Sequence, residues 1–337
     1  MENLQKIKVG VIGVGALGRH HARLYAANPG AQVVGIFDVQ KESAEKVGAE
    51  FNLKVFGAWE ALAEECDALS VAVPANWHGT TVLPLLAMKK HVLVEKPIAA
   101  TVDEAEKMVE VAKDNGVILG VGHVERFNPA MTFIEKNHGP IRFIEAHRMA
   151  KFPPPRPGLP PRGTEVSVIL DLMIHDIDLA LSLMDSEVER FDVVGLPILS
   201  GSEDIVNARI KFVNGSQASL TASRVSQEPK RKFRVFHERG CIAMDFNTRS
   251  GMVVECDGHE LHRTDVTLEE RNALADELDD FLNAVRTTMR TGVLTAPRVP
   301  GEQGLRALKL AAAFEAEARR YNEQYGVKTA LNQGEKR

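Results

Sequence analysis

Two rhythms of hydrophobic and polar positions divide this sequence. Up to about residue 123, short apolar runs alternate with longer stretches of helical spacing. The runs at residues 8–12, 31–37, 69–73, 91–94 and 117–121 are rich in β-branched residues and predict strands. Helical spacing between them predicts helices over 17–27, 41–50, 79–88 and 102–115. Thr101 stands at the start of the last and Gly116 just past its end, as a capped helix requires. Alternation of this kind predicts an α/β domain with a doubly wound parallel sheet over residues 1–123.

From about residue 124 the rhythm shortens. Residues 141–150, 188–199, 204–213, 216–225, 232–238, 241–246 and 252–255 predict strands, and Asn214-Gly215 marks a hairpin between two of them. Helices are expected over 164–184, 268–289 and 301–321. The reading is an α+β domain over 124–330 with a large open, mainly antiparallel sheet and helices on one side. The polar residues from Ala330 onward are expected to fray.

Composition narrows the function classes. The 337 residues carry 41 Lys and Arg against 46 Asp and Glu, a net charge of −5, which gives no general pull toward nucleic acid or an anionic membrane. Cys66, Cys241 and Cys256 are widely spaced and form no zinc-binding pattern, so no metal site is expected. No signal peptide or membrane-spanning run is visible, which makes the cytoplasm the expected compartment.

The first apolar run leads into Gly13-Val14-Gly15-Ala16-Leu17-Gly18. In a strand–loop–helix unit, Gly13 permits the tight turn, Gly15 a close approach of backbone to a pyrophosphate, and Gly18 close helix–strand packing. The helix beginning here offers free N–H groups and a positive dipole end. Asp38, at the end of the second strand, suits the ribose hydroxyls and repels a 2′-phosphate, so the expected cofactor is NAD rather than NADP. This makes the first domain a Rossmann domain. Pro74, Asn76 and His78 follow the third strand, where a loop reaches the switch point, and are candidate cofactor contacts, as are Glu95 and Lys96 at the end of the fourth.

Lys96, with Glu95 before it and Pro97 after it, closes the fourth strand. A lysine there would project toward the nicotinamide and hold a hydroxyl, and Glu95 would help to orient it. Asp171 and His175 are four residues apart on a predicted helix and share a face amid Ile169, Leu170, Leu172 and Ile174. Such a pair suits general acid–base work or a satisfied structural contact. His147, Arg148, Lys151, Arg156 and Arg162 surround a proline-rich stretch, and arginines suit phosphate recognition, although a solvated basic loop has the same composition.

Gly13-x-Gly15-x-x-Gly18-x-x-His21, Glu95-Lys96-Pro97 and Asp171-x-x-x-His175-Asp176 together resemble the glucose–fructose oxidoreductase / inositol dehydrogenase / rhizopine catabolism (Gfo/Idh/MocA) family over nearly the whole chain. The resemblance implies hydride transfer between a sugar or cyclitol carbon and a nicotinamide. It makes Lys96, Asp171 and His175 the catalytic set: His175 takes the hydroxyl proton, Lys96 bonds that oxygen and Asp171 assists. It also implies a homodimer or homotetramer formed through the open sheet. The segment from Gly122 to Pro129 resembles the branch that oxidises UDP-N-acetylglucosamine at its third carbon on the way to lipid A. Arg126, Asn128, Arg148, Arg156 and Arg162 are then candidate substrate contacts. A free sugar or inositol dehydrogenase, a non-catalytic NAD-binding regulator and an NAD-dependent glycosidase are the alternatives.

Overall fold

The computed structural model describes residues 6–154 and 166–327. The chain divides into two compact units, Met1–Phe127 with Asn272–Leu308, and Asn128–Arg271 with Lys309–Arg337.

In the first unit, β1 (Ile7–Ile12), α1 (Gly18–Ala27), β2 (Ala31–Phe37), α2 (Lys41–Phe51), α3 (Trp59–Glu65), β3 (Ala68–Val71), α4 (His78–Ala87), β4 (His91–Glu95), α5 (Val102–Asn115) and β5 (Leu119–Gly122) follow one another. The five strands are parallel in the order β2-β1-β3-β4-β5. Every residue of β3, β4 and β5 is buried, as a sheet covered on both faces demands. The strand order reverses between β1 and β3, and ligands of such sheets bind beyond the carboxyl ends of the strands at that point.

The second unit holds α6 (Pro129–Asn137), β6 (Ile141–Met149), α7 (Ile174–Leu183), β7 (Val188–Leu196), β8 (Ile205–Phe212), β9 (Gln217–Ser223), β10 (Lys230–His237), β11 (Gly240–Asp245), β12 (Ser250–Asp257) and β13 (Glu260–Thr267). The sheet runs β13-β12-β11-β10-β6-β9-β8-β7, with β6 and β9 parallel and the other pairs antiparallel. Strand alternation gives it two chemically different faces. Ile144, Ala146, Val206, Ala208, Ile210, Ala218, Leu220 and Val235 are buried. Phe143, Glu145, His147, Arg234 and Phe236 alternate with them and stay partly exposed.

The domain boundary differs from the single cut expected near residue 123. The chain changes unit at Phe127/Asn128, and residues 272–308 return to the first unit. The cause is α8 (Ala273–Thr291), whose Leu278, Phe281, Leu282 and Val285 join Ile7, Val9, Tyr25 and Ile36 in one core. Val121 N–H also donates to the Val299 carbonyl at 3.0 Å. The next cut falls inside α9 (Gly301–Gln324), between Leu308 and Lys309.

Candidate active site

The glycine loop leaves β1 through Gly13 at φ +82°, a conformation that disfavours side chains. A Cβ on Gly13 would lie 2.8 Å from Val73 Cγ1 and 2.9 Å from the Ala72 carbonyl oxygen, and one on Gly18 would overlap the Gly13 carbonyl oxygen. Protein packing alone therefore explains those two glycines. Gly15 is different, because a Cβ there would meet nothing within 4 Å. Gly15, Ala16 and Leu17 are exposed, and α1 begins with neither a side-chain cap nor an acidic residue in its first turn. An uncapped helix end facing open space fits a dinucleotide pyrophosphate. Beside it, Asp38 Oδ2 accepts the Val14 N–H at 2.8 Å and Oδ1 accepts the Gln40 N–H at 2.8 Å.

Beyond β3, Pro74 and Asn76 are exposed around a 3₁₀ turn, Ala75–Trp77. His78 does not join them. It is buried, with Nδ1 2.8 Å from the Pro97 carbonyl and Nε2 2.9 Å from the Val73 carbonyl. Burial pulls its pKa down against those two carbonyls. The ring thus braces two loops at the carboxyl edge of the sheet.

Glu95 is likewise engaged by the protein. Its carboxylate points into the protein, with Oε1 2.9 Å from His21 Nε2 and Oε2 accepting the Lys96 N–H at 3.2 Å. Burial alone would raise this carboxyl. The hydrogen bond with His21, together with Lys96, outweighs it and holds Glu95 below its usual range. Lys96 itself is half-buried, and its peptide to Pro97 is cis. His21, one turn into α1, is the residue whose role the sequence left unassigned, although it closes the glycine motif.

In the second unit the helix expected over 164–184 starts irregularly among the described residues. Ile169–Met173 form a π-helical turn, and the Ile174 N–H reaches the Ile169 carbonyl. Such wide turns inside helices are frequent at functional sites. Asp171 lies in the turn and His175 just after it in α7. Both are half-buried, whereas Ile169, Met173 and Ile174 are buried. The approach to the turn is fixed from two directions. Ser167 accepts the Asp171 N–H on its carbonyl at 3.0 Å, and its hydroxyl donates to Glu315 Oε1 at 2.6 Å. Arg224 donates to the Val166 carbonyl at 2.8 Å and to Asp204 Oδ1 at 2.7 Å.

Of the expected basic cluster, His147, Arg148 and Lys151 lie among the described residues. His147 and Arg148 are neighbours on a strand and face opposite sides of the sheet. Arg148 is 4% exposed and holds Asp176 with a two-pronged contact, Nε to Oδ2 at 3.0 Å and Nη2 to Oδ1 at 2.9 Å. Arg126 is buried and donates to Gln303. Asn128 caps α6, accepting the Ala130 N–H at 3.0 Å. These three side chains are engaged in holding the fold. Arg156 and Arg162 lie outside the described residues.

An uncapped helix after a glycine turn, an acid at the end of β2 and a lysine at the end of β4 define an NAD-binding oxidoreductase. Comparison with known proteins agrees. The oxidoreductase family with an NAD-binding Rossmann fold matches residues 7–123, and the C-terminal domain of the same Gfo/Idh/MocA family matches 134–243. The chain belongs to that family. It is 36% identical over 288 residues, 83% of this chain and 88% of the relative, to UDP-N-acetylglucosamine 3-dehydrogenase of Acidithiobacillus ferrooxidans. A solved structure of that enzyme covers 94% of this chain and 99% of its own, with TM-score 0.85 and 33% identity. Myo-inositol 2-dehydrogenase of Thermotoga maritima is 28% identical over 326 residues, 91% of this chain and 95% of the relative. Levoglucosan dehydrogenase, solved with NADH and L-sorbose, shares the fold at TM-score 0.82 and 19% identity, over 94% of this chain and 97% of its own.

Proposed function

We propose that this chain oxidises the third-carbon hydroxyl of UDP-N-acetylglucosamine to a ketone, with NAD as acceptor. The observation that carries the reading is the 36% identity to an enzyme of that name over 83% of the chain. Bound NAD supplies the hydride acceptor. The Lys96 ammonium donates a hydrogen bond to the reacting hydroxyl oxygen. His175 takes the hydroxyl proton as the C–H bond gives up its electron pair, and Asp171 orients the imidazole and supports its charge. The half-buried setting of Lys96, Asp171 and His175 suits this work, because each keeps access to a ligand while losing part of its water. The partly exposed face carrying Phe143, Arg234 and Phe236 is the surface through which we expect two or four copies to associate. A nucleotide sugar and NAD as substrates support a cytoplasmic reaction, and we expect it to lie on the way to the amino sugar of lipid A.

The test is incubation of the purified protein with NAD and a panel of UDP-N-acetylglucosamine, free sugars and inositols, following NADH absorbance and the loss of two hydrogens from the sugar by mass. A 2-ketoacid is added in a parallel arm to reoxidise cofactor that stays bound. Oxidation of myo-inositol in preference to the nucleotide sugar would favour the second reading, which the Thermotoga relative supports.

A further inference from the structure

A buried chain of polar groups runs behind Lys96 and has no part in the reaction as written above. The Tyr25 hydroxyl lies 3.2 Å from Ser70 Oγ, and Ser70 Oγ lies 3.0 Å from His21 Nδ1. His21 Nε2 lies 2.9 Å from Glu95 Oε1, and Glu95 Oε2 accepts the Lys96 N–H at 3.2 Å. Tyr25, His21 and Ser70 are at most 1% exposed. The chain joins α1, β3 and the end of β4, so the helix that carries the glycine loop is tied to the strand end that carries the lysine.

One assignment of protons uses every group. Burial pushes the Tyr25 hydroxyl pKa up, so it stays protonated and donates to Ser70. Ser70 then donates to His21 Nδ1, and His21 Nε2 donates to the ionised Glu95. The ionised Glu95 stands at the end of the chain, next to the lysine. The other charged or titratable neighbours lie on different elements: His78 on α4 feels Glu95, while Glu277 and Asp279 on α8 act on Tyr25.

We infer that His21 and Glu95 are positioning residues for Lys96, fixing its backbone and supplying the carboxylate charge that holds its ammonium toward the reacting oxygen. The inference rests on the role given to Lys96 above. A shift of a reacting group by about 1 Å can cost on the order of a hundredfold in rate. Because the lysine contact counts in the transition state, kcat falls while the sugar KM holds.

The experiment compares Glu95→Gln, His21→Leu, His21→Gln and Lys96→Ala in the full-length protein, measuring kcat, sugar KM, NADH affinity by fluorescence and the thermal midpoint. Glu95→Gln keeps the shape and removes the charge. His21→Gln keeps an N–H for Glu95, and His21→Leu removes it. The expected result is a fall of about a hundredfold in kcat for Glu95→Gln and His21→Leu, with NADH affinity and sugar KM near native and substantial rescue in His21→Gln. Native kcat in Glu95→Gln and His21→Leu while Lys96→Ala is inactive overturns this inference alone, as does a loss that only tracks unfolding. Native kcat in Lys96→Ala overturns the catalytic reading, and this inference with it.

Discussion

Asp38 accepts the Val14 N–H at 2.8 Å, so the acid expected to face the ribose and the loop expected to face the pyrophosphate are parts of one bonded unit. Asp38→Ala therefore removes both the repulsion of a 2′-phosphate and a tie within the loop. NADP use relative to NAD should rise by roughly ten- to a hundredfold, corresponding to about 1.4–2.8 kcal/mol. The fold should lose about 1 kcal/mol. Steady-state kinetics with both cofactors and urea denaturation measure the two effects. A native protein that already prefers NADP would refute the reading of Asp38.

The glycines of the loop should separate by cause. Gly15→Ala meets open space, so stability should change by no more than about 0.5 kcal/mol while NAD affinity drops. Gly18→Ala drives its methyl into the Gly13 carbonyl and should lower the thermal midpoint sharply. Equal thermal losses in the two variants would contradict the assignment.

His175→Ala and Asp171→Asn should bind NADH as the native protein does. His175→Ala should lose roughly 10²–10⁴ in turnover, the usual range for a general acid–base group. Isothermal titration with NADH and single-turnover oxidation of the sugar give the two numbers separately. Turnover at the native rate in His175→Ala would remove it from the reaction.

Arg148→Ala should act on stability. It leaves Asp176 buried at 4% exposure without its guanidinium, which costs about 3–5 kcal/mol. Replacing both by apolar residues, Arg148→Met with Asp176→Leu, should recover much of that loss. Denaturant midpoints test this. A higher substrate KM in a stably folded Arg148→Met/Asp176→Leu variant would return Arg148 to substrate binding.

Asp204 governs part of the acid response. Burial raises its pKa, but Ser200, Arg224 and the backbone N–H groups of Leu199 and Ser200 outweigh burial and hold it below the usual carboxylate value. Its stabilisation is present above the unfolded pKa and disappears as pH falls through the lower folded one. Asp204→Asn should be less stable at neutral pH and show a flatter decline in acid. Urea midpoints across the acid range check this.

Legibility in the sequence followed the strength of local signals. The α5 boundaries are readable because Thr101 accepts the Glu104 N–H and Gly116 takes the left-handed conformation. The α3 helix went unread, being seven residues long and lacking a side-chain cap. β13 is exposed along nearly its whole length, so no apolar alternation marks it. Asn128-Pro129 is a helix start legible in the sequence, and Asn128 caps α6. Opposite facing of His147 and Arg148 follows from the strand period alone. The burial of His78 and Glu95, and the π turn under Asp171, depend on partners far along the chain and have no local signature.

The return of α8 to the first unit also sets an order of events during synthesis. Leu278, Phe281, Leu282 and Val285 belong to the core that β1 and α1 begin. At about 5–20 residues per second, the ribosome needs on the order of ten seconds to make the strands that intervene before α8 emerges. Throughout that interval the nascent first unit lacks one wall of its core. A chaperone that shields apolar surface would find its target there, on the side that α8 later covers.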